Sequence, residues 1–216
     1  MKIKLFFLLT SILLTNAITS YAQNNPVILG NARFTVITPE LIRLEYAIDG
    51  KFVDEPTLFA ANRESRYNDI SVTTNDKGWT HISTSRMRVE YFNDGFPFGQ
   101  TNFRIFYKKG KGEKRFMIYQ QNNKERNLGG TVQTLDGKNG KVDVDNGLLS
   151  HDGWFIIKDD YKPILKNGWI ENRPKESVMD RYFFAYDKDY KAALKSLTAI
   201  SGEVPLPRKH ALGAWY

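Results

Sequence analysis

The chain contains no cysteine. Disulfides, thiolate metal sites and a cysteine nucleophile are excluded, so its core alone must hold the domain together. Histidine is almost as scarce. His81, His151 and His210 lie far apart, without the helical pairing a zinc site uses, so no metal centre is expected. Asp143, Asp145, Asp159 and Asp160 do not form the alternating aspartate run of a calcium loop and read as solvated loop charges. No Asn-x-Ser/Thr acceptor is present, and no apolar run approaches the roughly 20 residues that span a bilayer.

The longest apolar run, Leu5 to Leu14, follows Met1-Lys-Ile-Lys4 and leads to Ser20-Tyr-Ala22. A basic start, a short apolar stretch and small residues at the cleavage positions read as a signal peptide over residues 1–22, cut after Ala22. Without cysteine no lipid anchor can be attached there, so an exported, unanchored protein is expected. Export without disulfides suits a bacterial periplasm, or secretion, better than a eukaryotic secretory route. The rest of the 216 residues suffices for one sizeable domain.

Losing Lys2 and Lys4 with the leader lowers the formal charge of +7 by two. The remaining basic residues are dispersed along polar strand faces, as in Arg86-Met-Arg88-Val-Glu90. The densest cluster, Lys108 to Arg115, is broken by glycines and reads as a solvated hairpin loop. A nucleic-acid partner is therefore not expected.

Period-two alternation dominates what is there. Ile42, Leu44 and Tyr46 share one face and Arg43 and Glu45 the other. Met87, Val89 and Tyr91 alternate with Arg86, Arg88 and Glu90, and Phe103, Ile105 and Tyr107 follow the same rule. Asn75 to Gly78, Asn93-Asp-Gly95 and Asp136 to Gly140 are turn signals between such runs. The pattern predicts a mainly β protein, an antiparallel β-sandwich over residues 23–186. One helix is expected from Lys188 to Ile200. Its apolar stripe is Tyr190, Ala193, Leu194, Leu197 and Ile200, Asp187 or Asp189 caps its start, and Gly202 follows its last turn. Pro205 and Pro207 then forbid continuation, and Ala211 to Tyr216 reads as an apolar strand.

Four segments carry a family resemblance. They are Arg33 to Tyr46 with Pro56-Thr-Leu-Phe59 and Asn62-Arg63; Asn127-Leu-Gly-Gly-Thr131 with Leu135-Asp-Gly137; Gly147-Leu-Leu-Ser-His-Asp-Gly-Trp154; and Asp180 to Tyr216. In this order they resemble the N-terminal region of bacterial glycoside hydrolase family 31, the α-glucosidase and α-xylosidase family. The resemblance implies a galactose-mutarotase-like sandwich, a connecting helix over 187–204, and a (β/α)8 barrel beginning near Ala211. It implies retaining hydrolysis of terminal α-linked glucose or xylose without a cofactor. The catalytic aspartates would stand on that barrel, so none is expected among these residues. The partners implied are an oligosaccharide and, within the whole enzyme, the barrel itself.

The resemblance also singles out Asp152. Family members carry Arg-Asp on a loop that reaches the leaving-group side of the pocket, where the aspartate accepts hydrogen bonds from sugar hydroxyls. An ionised carboxylate offers only acceptors and suits that role. Here His151 replaces the arginine, which leaves Asp152 without its usual neighbouring cation. Asp136, Thr134 and His151 itself are further candidates for the same rim. Read locally, Asp152-Gly153 and Asp136-Gly137 are also ordinary turn pairs. Gly129 and Gly130 either shape a bend or admit a close backbone approach, and Gly-Gly-Thr lacks the lysine and helix of a phosphate loop. Trp154, at a strand start, reads as core more readily than as a sugar platform. A stand-alone carbohydrate-binding sandwich without catalysis, or an adhesive surface domain, is the alternative.

Overall fold

The computed structural model describes residues 25–64, 66–130, 137–203 and 208. Within them lie two five-stranded antiparallel sheets. The first runs β1 (Val27–Leu29), β2 (Ala32–Thr38), β3 (Leu41–Ala47), β12 (Ser177–Ala185) and β9 (Trp154–Lys158). The second is a simple meander of β4 (Ser71–Thr74), β5 (Trp79–Ser83), β6 (Met87–Phe92), β7 (Phe103–Lys109) and β8 (Gly112–Phe116). A small hairpin, β10 (Ile164–Lys166) and β11 (Trp169–Glu171), stands apart. The chain is mainly β, with antiparallel sheets packed as a sandwich.

The alternating residues do what their period demands. Met87, Val89 and Tyr91 of β6 and Phe103, Ile105 and Tyr107 of β7 meet Phe34, Leu44 and Phe183 of the first sheet in one core. Aromatic rings fill its middle: Phe34 lies 5.3 Å from Tyr91, and Phe116 lies 4.6 Å from Phe183 and 4.8 Å from Trp154. Trp154 is buried there, in agreement with its core reading. Each such fully buried side chain favours folding by roughly 1.5–3 kcal/mol before entropy is counted.

The first sheet is buried on its outer face as well, and here the alternation rule fails. At one end the helix α1 (Tyr190–Ser201) lays Ala193 and Ile200 over Leu41, Tyr182 and Phe184. Asp189, not Asp187, is its N-cap, accepting from the Ala192 N–H at 3.0 Å, and Gly202 follows the last turn at φ +80°. Leu194, expected on the packed stripe, is 47% exposed. At the other end of the same face Arg43 and Glu45 are buried rather than solvated, because the chain around Val53 to Arg63 and around Asp159 to Arg173 covers them. The basic run Lys108 to Arg115 is the largely exposed β7–β8 hairpin that its sequence suggested, mostly strand, with Gly110 at φ +58° in its turn. Among the described residues no helix is long and apolar enough to cross a membrane. Pro205, Pro207 and Ala211 to Tyr216 lie outside the described residues.

Candidate functional site

Two of the segments singled out by sequence meet in space. Residues 126–130 run beside residues 145–151, with a bridge between Asn127 and Ser150. The Leu128 N–H donates to the Leu149 carbonyl (2.9 Å), Gly130 to Asp145 (2.7 Å) and His151 to Arg126 (2.8 Å). The Asn127 side chain ties the rows together, donating to the Gly147 carbonyl and accepting from the Gly147 N–H at 2.8 Å. The glycines are steric necessities: a Cβ on Gly147 would overlap the Gly129 carbonyl, and one on Gly153 would lie 2.6 Å from the Asp187 Cα. Tyr186, at the end of β12, anchors the loop by accepting from the Ser150 N–H and donating to the Leu148 carbonyl at 2.6 Å.

Asp152 stands where that loop turns back into β9. The Arg126 Nε donates to its Oδ1 at 2.6 Å, and the Asn123 N–H donates to Oδ2 at 3.3 Å. Arg126 also donates to the His151 carbonyl, and the Lys109 Nζ donates to the carbonyls of His151 and Asp152 at 3.0 and 2.8 Å. Burial pushes the Asp152 carboxyl up. The hydrogen bond from Arg126, the Asn123 N–H, and the charges of Arg126 and Lys109 outweigh it and hold the group below its ordinary range. Asp152 is therefore an anion near neutrality, a hydrogen-bond acceptor and a poor general acid.

The expectation that Asp152 lacks its cation is corrected here. His151 is exposed and turns its Nδ1 to the Tyr190 hydroxyl at 3.2 Å, while Arg126, distant in sequence, supplies the ion pair. A short 3-10 turn, Lys124–Arg126, capped by Asn123, presents that arginine. Sequence reasoning missed Arg126 and Lys109. The only signals were the place of Arg126 beside the segment that starts at Asn127 and that of Lys109 in the basic run Lys108 to Arg115, since the distance to Asp152 is closed by folding. Thr134 and Asp136 lie outside the described residues, so the structure does not bring them to or keep them from Asp152.

A second charged cluster was misread from sequence. Asp159 is completely buried and Asp160 nearly so, where solvated charges were expected; Asp143 remains exposed. Asp160 pairs with Arg181 at 2.8 Å. Asp159 accepts from Arg63 (2.6 Å), Thr57 (2.9 Å) and Arg173 (3.4 Å). Asp180 joins Arg43, Arg63 and Arg173, and Glu45 bridges Arg43 and Arg33. Burial pushes Asp180 up, but the three guanidinium groups override it and hold the carboxyl far below the usual range. Asp159 is raised by burial and by the charge of Asp180. Perturbed groups can mark an active site. These are sealed beneath loops and ion-paired with one another, with the Asp159 Oδ1 and the Arg63 Nε left without a hydrogen-bond partner among the described residues, so they serve the fold: Asp180 on β12 and Arg43 on β3 clamp neighbouring strands to the chain that covers them.

Among the described residues no group of three or more metal-ligating side chains is present. No protein-family model matches the chain, and no curated protein matches it in sequence.

Proposed function

We propose that this chain is the non-catalytic front of an exported, retaining α-glycosidase that acts on terminal α-linked glucose or xylose. In this reading the sandwich supports a catalytic barrel, and Asp152 reaches the leaving-group side of its pocket as an acceptor for sugar hydroxyls. One observation carries the reading. The two glycine-rich segments that resemble family 31 lie side by side, and an ionised carboxylate, gripped by an arginine, stands at their end.

The chemistry is consistent in kind. A retaining glycosidase needs two carboxyl groups about 5–5.5 Å apart, one of them protonated at working pH. Asp152 has cations and amide donors about it instead, so it suits binding and not proton transfer. The role is positional: it would orient the departing sugar while the barrel's own aspartates do the chemistry.

The test is kinetic and uses the complete gene product, read past Tyr216. Asp152→Ala should reduce kcat/KM on a disaccharide by roughly 10–100-fold, the effect of losing a hydrogen bond to a charged group. An aryl glycoside, whose leaving group has no sugar hydroxyls, should be turned over almost as before. Unchanged disaccharide kinetics, or equal losses on both substrates, would reject the assignment. A coding sequence without a barrel would reject the enzymatic reading itself.

A further inference from the structure

A groove of about 420 Å³ runs along the free edge of the first sheet. That volume is within the range of small-molecule sites. Its floor is apolar, from Ile118, Trp154 and Ile156, and its walls carry the amides of Gln120, Gln121, Asn122 and Asn146. Tyr119 stands on its rim with 61% of its surface exposed. Among the described residues Lys158 is the one charged side chain lining it, and no carboxylate does.

The backbone adds to this polar wall. β9 is an edge strand that pairs, among the described residues, only with β12. Asp159, next along the chain, donates its N–H to Asp180 of β12, whereas the Trp154 carbonyl accepts from the Asn122 side chain at 3.1 Å on the other side. Alternation therefore turns the peptide groups of Trp154, Ile156 and Lys158 toward the groove. Asn122 is fixed by its bond to Trp154, and its Oδ1 is buried with no partner among the described residues. A buried amide oxygen in that state is costly and calls for a donor.

Two kinds of occupant suit an open strand edge. An extended peptide adds a strand and needs a run of free backbone. Asn122 already takes the Trp154 carbonyl, so only Ile156 and Lys158 remain, about 7 Å of edge. That is too short to hold a strand in register. A sugar needs less length and matches more of the surface. Its C–H face packs on an aromatic ring, and its vicinal hydroxyls pair with planar amides that offer a donor and an acceptor side by side. An uncharged ligand also suits a wall that, among the described residues, carries amides and no carboxylate.

We infer that this groove binds a pyranose unit of an oligosaccharide, with the ring on Tyr119 and its hydroxyls on Gln120, Gln121, Asn122 and Asn146. The site is separate from the Asp152 carboxylate and does not depend on the role proposed for it. The intact, 15N-labelled chain is titrated with maltotriose and separately with xylotriose, following the side-chain amide resonances of these four residues. Saturable shifts at millimolar sugar are expected with at least one trisaccharide. Tyr119→Ala and Gln121→Ala should each weaken binding roughly tenfold, a loss equal to one good contact. Both positions are exposed, so the backbone spectrum should stay native. Asp143→Ala, exposed and outside the groove, should leave the affinity unchanged. Absence of saturable shifts with both sugars would overturn the inference. So would shifts that survive Tyr119→Ala and Gln121→Ala but vanish in Asp152→Ala. Saturation by a blocked Val-Thr-Val-Thr peptide with both sugars inert would show a strand-addition edge instead, and would equally overturn it. The kinetic test of Asp152 reads a different group, so either reading can fail alone.

Discussion

Asp180 carries three arginines, with nitrogens of Arg43, Arg63 and Arg173 all within 2.9 Å of its carboxylate. Removing its charge would leave these guanidinium groups buried without their common acceptor. Asp180→Asn should therefore destabilise the fold by about 3–5 kcal/mol, measured by urea unfolding near neutral pH. A loss under about 1 kcal/mol would show the cluster to be loosely held. The pH dependence has a definite sign. Because Asp180 is depressed in the folded state, its contribution is complete above its unfolded value of about 4 and is lost as pH falls below that. Glu45 and Asp159 are raised, so their protonation comes first on acidification and favours the native state. The gap between wild type and Asp180→Asn should thus persist down to about pH 4 and close below it; a gap that closes already near pH 6 would contradict this. Arg126 offers a gentler probe. Arg126→Ala should raise the Asp152 pKa toward the ordinary aspartate range, read by carbon NMR of the carboxyl, because the bond that depresses it is gone. No change would mean that Lys109 and the Asn123 N–H suffice.

At the scale of elements, β12 shows how one strand serves two cores. Phe183 and Ala185 enter the sandwich, while Tyr182 and Phe184 meet α1 on the other side. A strand buried on both faces reads as a continuous apolar run, as Tyr182 to Tyr186 does. The helix is legible for a similar reason, since its stripe, cap and terminal glycine are all local. Asp189→Ala should cost about 1 kcal/mol in thermal or urea unfolding, and Asp187→Ala should not weaken the helix cap, because Asp187 accepts from the Gly110 N–H instead. The glycine loops respond differently. Gly147→Ala forces the rows 126–130 and 145–151 apart, so the amides of Leu128 and His151, bonded across them, should exchange with solvent faster than in the wild type. Unaltered exchange there would show that the loop absorbs a methyl group without opening.

For the molecule as a whole, the helix is a cover. A chain ended after Tyr186 would leave Leu41, Tyr182 and Phe184 facing water beside an open strand edge, and should aggregate in light scattering. A monomeric product would show that the sandwich needs no cover. The sequence by itself determined the class of fold, because strand alternation, turn glycines and helix stripes are written in neighbouring residues and follow from backbone geometry. It also determined the absence of disulfide chemistry, which composition alone decides. It misjudged Arg43, Glu45, Asp159 and Asp160 because charge predicts exposure only where nothing folds over it. Whether a polar face meets water depends on segments brought from elsewhere: Arg63 and Arg173 reach Asp180 from 117 and 7 residues away. The partnership of Arg126 with Asp152, across 26 residues, was hidden for the same reason. Which charges pair, which are sealed, and which carboxylate is held ionised at the end of the loop were decided only by the tertiary structure. Coulomb and hydrogen-bond energies depend on distance in space, and the chain records only distance along itself.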